Sequence, residues 1–235
     1  MSVKDLRKDL KQYWREEKSD FLQKYFFAKD GNASRDIFRG ISVPNSRIIA
    51  KKYVNLVLSE IEELLTSQVH EERLIALFIL VMQYQKGNED TKVNVVEFFL
   101  KHTKYINEWD LVDSSADRIL GDYLIDQPKE LLLKFAESKN WWERRIAIMA
   151  TFQFIKVLKE EEWTFIIAEK LLDDKHDLVH KAVGWMLREV GNRISMDVEM
   201  RFLNEHYKKM PRTMLRYAIE KFSEDVRQSY LKGTI

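Results

Sequence analysis

Lys181-Ala182-Val183-Gly184-Trp185-Met186-Leu187-Arg188-Glu189 reads as an amphipathic helical segment with a small residue, Ala182, set among larger apolar ones. Three more alanines, Ala76, Ala147 and Ala218, sit inside segments of the same kind. The four are separated by 71, 35 and 36 residues. Since 71 is about twice 35.5, a further unit is expected near residue 112, where Val112 lies in Trp109-Asp110-Leu111-Val112-Asp113. Paired helices recurring at roughly 35 to 45 residues are the pattern of an α-solenoid, each unit burying its apolar stripe against the next. The expected fold is therefore all-α, stacked helix pairs curving around a concave face, with small residues where adjacent helices approach closely.

The flanking sequence agrees. Leu74, Leu77, Phe78 and Val81 form one apolar stripe, and Ile146, Met149, Ala150 and Phe154 form another. No run of strict alternation calls for a strand. Pro44, Pro128 and Pro211 each stand at the start of a helical pattern, where a missing N–H does no harm. After Pro211, Leu215, Ala218, Ile219 and Phe222 face one way. The longest stretch without periodicity, Lys29 to Ser42 with Gly31 and Gly40, is expected to be a loop. No flexible linker interrupts the pattern, so residues 1–235 are expected to form one domain of about six helix pairs, the N-terminal helices serving as a cap.

The 235 residues are 45% hydrophobic and 33% charged, enough for a substantial core. No window approaches the length of a membrane span, and the charged start Met1-Ser2-Val3-Lys4-Asp5-Leu6-Arg7 has no signal-peptide core. A cytoplasmic protein is expected. Without cysteine there is no disulfide, thiolate metal site or cysteine nucleophile. No helix shows a second apolar face, so a monomer is expected. The net charge of +1 does not announce a polyanion partner. Its distribution is more telling: from Lys175 to Lys221 ten Lys and Arg stand against six Asp and Glu, a local charge of +4.

Phosphate loops, Ser-centred nucleophile elbows and HExxH are absent. His176 and His180 have the i, i+4 spacing of a helical metal pair, but no third ligand stands at a recognisable interval, and a surface role is favoured. Trp109 and Asp113 project from one face of a helix, one turn apart, and Trp185 lies in another segment. An anion beside two π-faces suits stabilisation of a cation. Burial in the core is the other reading of both tryptophans, and Asp113 has a second reading as a cap or as an arginine's partner. On these residues alone, a protein-interaction scaffold ranks first.

Five strings change that ranking. Glu108-Trp109-Asp110-Leu111-Val112-Asp113-Ser114 and the Lys181–Glu189 segment resemble those of the AlkD-type DNA alkylation repair glycosylases. Phe38-Arg39-Gly40-Ile41-Ser42-Val43-Pro44, Trp142-Glu143-Arg144-Arg145 and Pro211-Arg212-Thr213-Met214-Leu215-Arg216-Tyr217-Ala218 agree in order and separation. The resemblance runs from about residue 20 to about residue 222. The segment from Lys29 to Arg39 departs from the glycine- and glutamate-rich version common in that family.

The resemblance implies a solenoid of HEAT-like repeats and a monofunctional glycosylase excising cationic N3- and N7-alkylpurines from duplex DNA. It needs neither metal nor cofactor and inserts no base into a pocket. It makes Asp113 the catalytic carboxylate, with Trp109 and Trp185 beside the deoxyribose, and gives Arg145 the DNA backbone. Lys181, Arg188, Arg212 and Arg216, drawn from the basic stretch, are the further expected DNA contacts. The alternative is a non-catalytic helical-repeat protein that binds distorted or branched DNA.

Overall fold

The structure, a computed structural model, describes residues 1–30 and 36–235, without the side chains of residues 27–30. The described residues form α-helices and short 3-10 and π turns; the one β contact is an isolated bridge between Ile37 and Val69. The expected all-α class holds. No described helix is long and apolar enough to cross a membrane. The helices cluster into two compact units, Met1–Ser115 and Ala116–Ile235.

The first unit contains α1 (Val3–Leu10), α2 (Glu16–Asp30), α3 (Val43–Lys52), α4 (Leu58–Leu65), α5 (His70–Lys86), α6 (Glu89–Lys101) and all but the last residue of α7 (Trp109–Ala116). The expected loop from Lys29 thus begins one turn's end later, because α2 runs to Asp30; residues 31–35 of that loop lie outside the described residues. The second unit contains α8 (Glu130–Ala136), α9 (Trp141–Ala150), α10 (Glu162–Lys170), α11 (Asp177–Arg193), α12 (Met196–His206), α13 (Arg212–Ala218) and α14 (Glu224–Lys232). Polar residues start several of these helices as the physics of orphan N–H groups requires: Asn88 accepts from Thr91 N at 3.0 Å, Asn140 from Trp142 N at 3.0 Å and Ser195 from Asp197 N at 3.2 Å.

The 35-residue repeat maps onto alternate helices. Ala76 lies in α5, Val112 in α7, Ala147 in α9, Ala182 in α11 and Ala218 in α13, and all five are fully buried. In the first unit α5 packs against α3, α4 and α6, and in the second α11 packs against α9, α12 and α13. Each of these helices needs neighbours on several sides, so its apolar positions spread beyond one stripe. α5 is the extreme case, with every residue from His70 to Val81 buried.

Close approach of α11 and α13 depends on Gly184. A Cβ added there would overlap the carbonyl oxygen of Met214 and come within 2.6 Å of Tyr217 Cβ. Backbone cannot yield as a flexible side chain does. Gly184→Ala is expected to lower the free energy of unfolding by about 1–3 kcal/mol despite alanine's better helix propensity. Urea titration of the second unit's unfolding checks this, and an unchanged midpoint would refute it.

Candidate functional site

Trp109 and Asp113 lie on one side of α7's first turn and the turn above it. Both are half-buried, so neither is sealed in the core. The indole does not float: it stacks on Phe26 with ring centroids 5.6 Å apart and planes 8° from parallel. Phe26 in turn lies 4.8 Å from Phe38 and 5.0 Å from the His70 ring. One face of Trp109 therefore rests on an aromatic ledge built by α2, α5 and the segment before α3.

Beneath that ledge the first turn of α5, His70-Glu71-Glu72-Arg73, brings four ionisable groups into the interior of the first unit. Burying charge is tolerable only where each group is paired. His70 Nδ1 donates to Asp36 Oδ2 at 3.0 Å and Nε2 to Asp110 Oδ2 at 2.8 Å. Arg73 pairs with Asp36 and donates to Asn107 Oδ1 at 2.7 Å. Glu71 accepts from the backbone N–H of Arg39 at 2.9 Å and of Ile41 at 3.2 Å, while Glu72 pairs with Arg7 at 2.9 Å. Gly40, between those two donors, has φ of +72°, and a Cβ on it would overlap the Arg15 carbonyl oxygen. The string Phe38-Arg39-Gly40-Ile41 is thus a backbone clamp on Glu71 and an aromatic neighbour for His70.

Burial opposes a charge on His70, but the Asp110 charge and the hydrogen bonds to Asp110 and Asp36 outweigh it and lift the imidazole to about 9. The folded state therefore holds a proton that the unfolded chain releases near the ordinary histidine value of about 6.5. The resulting stabilisation, on the order of 3 kcal/mol, is complete below about pH 6.5 and lost as pH rises through about 9. Chemical denaturation at pH 6 and pH 9.5 should show this loss in wild type and much less of it in His70→Gln. Equal pH dependence in the two would contradict it.

In the second unit, Lys181, Trp185 and Arg188 follow one another at i, i+4 and i+7 along α11 and share a face. Trp185 is half-buried. Its Nε1–H donates to Glu189 Oε1 at 3.2 Å, and Glu189 Oε2 accepts from Arg193 Nε at 2.6 Å. Lys181 pairs with Asp177 at 2.5 Å, and Arg188 pairs with Glu220. On α13, Arg212 and Arg216 are exposed, with Arg212 Nη1 donating to the Leu231 carbonyl at 2.9 Å. Lys181, Arg188 and Arg212 are tied by exposed carboxylates and a carbonyl, which a phosphate can displace at small cost.

Arg145 is placed otherwise. It is 4% exposed, and its guanidinium donates to the backbone carbonyl of Leu178 in α11. Its neighbour Arg144 pairs with Asp174 at 2.5 Å, just ahead of the same helix. In this arrangement Arg145 ties α9 to α11 and does not face solvent as a phosphate contact must. The same tie recurs: α5 reaches α7 through His70 and the segment just before α7 through Arg73, and α11 reaches α13 through the hydrogen bond of Asp177 with Thr213. His176 stacks on Trp141, centroids 3.5 Å apart, and His180 Nε2 donates to the Asp174 carbonyl at 2.6 Å. Among the described residues no group of three His, Asp or Glu is placed to hold a metal.

A family model for DNA alkylation repair enzymes matches residues 6–222, nearly the whole chain. The chain belongs to that family. A member of a family of DNA alkylation repair enzymes takes DNA as its substrate. The fold agrees: a solved structure described as a "predicted DNA alkylation repair enzyme" from Enterococcus faecalis is similar with a TM-score of 0.70, over 88% of this chain and 96% of its own, at 17% identity. At that identity the likeness speaks for the fold alone. No curated protein matches the chain.

Within this family member, the residues that sequence reasoning missed are Phe26, Asp36, His70 and Arg73 beneath the start of α7, and Asp110 in its first turn. One signal was available. His70-Glu71-Glu72-Arg73 leads directly into the longest uninterrupted apolar run of the chain, Leu74 to Met82, and four ionisable residues opening such a run must find partners once it is buried. Which partners they find is a matter of tertiary structure.

Proposed function

We propose that the protein is a monofunctional DNA glycosylase that removes N3- and N7-alkylated purines from duplex DNA, with Asp113 as the catalytic carboxylate. The single observation that carries this reading is the pairing of Asp113 with Trp109 on one half-buried face of α7, the indole braced from behind by Phe26. A structural tryptophan and a structural carboxylate would both be expected to sink into the repeat contacts. These two stay partly open to solvent while their neighbours Leu111 and Val112 are fully buried.

The chemistry suits so small a set of groups. Alkylation at N3 or N7 leaves the purine cationic, so the C1′–N bond can break with both electrons going to the base, which departs neutral. No proton has to be delivered. The barrier that remains is the oxocarbenium-like sugar, the electronic problem that glycosidases also face. The Asp113 carboxylate stabilises that positive charge and orients the water that adds to C1′. Trp109 contributes a π-face to the cationic sugar, and Trp185 is assigned a second aromatic contact to the lesioned strand. Lys181, Arg188, Arg212 and Arg216 supply sequence-independent attraction to phosphate. Arg145, buried against Leu178, acts by holding α9 and α11 in place.

Incubating the protein with methylated duplex DNA and separating the freed bases tests the reading. Release of 3-methyladenine and 7-methylguanine with abasic sites left behind is the expected result. Salt-dependent DNA binding with no freed base would instead favour a non-catalytic binder of distorted DNA.

A further inference from the structure

His70 lies outside the groups that meet DNA in the reading above, yet it is the centre of a network that reaches α7 from inside the first unit. Its geometry states its charge. An imidazole that hydrogen-bonds through Nδ1 to one carboxylate and through Nε2 to another must carry both N–H protons, because carboxylates only accept. The groups facing it give the same answer. Asp36 comes from the segment before α3, Asp110 from α7 and Arg73 from its own helix, while α2 contributes the uncharged Phe26 ring. Two carboxylates and one guanidinium leave this interior cluster one positive charge short of neutral, and the imidazolium supplies it. The ring is also wedged in place, 4.6 Å from Phe38 at 25° on one side.

We propose that His70 is a positioning residue for base release: bridging Asp36 and Asp110, it fixes the first turn of α7 and so the attitude of Trp109 and Asp113. The inference rests on the glycosylase reading for its activity arm. Asp110 stands between the two working residues, next to Trp109 and three positions before Asp113. A bond from its side chain into the interior therefore sets the rotation of that turn about the helix axis. Phe26 is shared by the Trp109 and His70 rings, so the same wedge braces the indole. A displacement of about 1 Å at a reacting group can cost on the order of a hundredfold in rate, which makes such a clamp consequential.

The test has a chemical arm and an activity arm. In the intact wild-type protein, nitrogen-edited NMR at pH 7 should show both imidazole N–H protons of His70; a single N–H would overturn the proposal. His70→Gln can reach only one carboxylate and carries no charge, and Asp110→Asn keeps the shape and weakens the clamp should the first variant fail to fold. Each should lower kcat for 7-methylguanine release by about ten- to a hundredfold with KM for DNA changed by less than about threefold. Wild-type kcat should fall as pH rises through about 9, and Asp110→Asn should move that fall to lower pH. Folded variants that are less stable but match wild type in kcat and pH profile would show a merely structural histidine and sink the proposal. If wild type itself frees no base, the glycosylase reading fails. The NMR arm, together with loss or retention of the Trp109–Phe26 ring contact in Asp110→Asn, then decides the clamp separately.

Discussion

Asp113→Asn is expected to slow release of 7-methylguanine from methylated duplex DNA by at least about a hundredfold, a loss of roughly 3 kcal/mol of transition-state stabilisation. The amide matches the carboxylate in size. What it removes is the negative charge, and that charge matters most when positive charge has developed on the sugar. DNA affinity before reaction depends on phosphate contacts elsewhere and should change by less than about threefold, so the loss should appear in kcat. Chromatographic measurement of the freed base under saturating enzyme checks both halves of the expectation. An Asn variant as fast as wild type would remove Asp113 from the chemistry.

The second large effect is structural. Asp36→Ala should lower the free energy of unfolding by about 3–5 kcal/mol, the usual cost of taking away one partner of a buried charge pair. Asp36 Oδ2 holds both His70 and Arg73, and each of those side chains is almost wholly buried. Removing it leaves an imidazolium and a guanidinium facing one another in the interior with Asp110 as the remaining carboxylate. The imidazole should then lose its proton more readily, and the alkaline loss of stability described for wild type should move to lower pH. Urea unfolding of wild type and variant at pH 6 and pH 8 reads both effects. A midpoint shift worth less than about 1 kcal/mol would mean that the cluster contributes little to holding the first unit together.

These two experiments probe different depths of one turn of helix. Asp113 and Trp109 were legible in the chain because a four-residue interval needs no tertiary information: any helix through them puts them on one face. Trp185 with Lys181 and Arg188 was legible for the same reason. The repeat was legible too, since a small buried residue every 35 or 36 positions leaves its mark whatever lies between. Arg145 shows where such reasoning stops. Its place in the string Trp142-Glu143-Arg144-Arg145 could not reveal that the guanidinium turns inward to the Leu178 carbonyl, 33 residues away.

The sequence by itself determined an all-helical chain, the period of its repeat and the pairing of an indole with a carboxylate along α7, because all of these follow from the geometry of a helix over a few residues or from a regular interval. The tertiary structure alone decided which buried charges meet. His70 stands 34 residues from Asp36 and 40 from Asp110, and nothing in local spacing selects those carboxylates from the other acids. That choice is made when α5 is enclosed on every side and each ionisable group in its first turn must find a counter-charge or a backbone donor within reach, away from water.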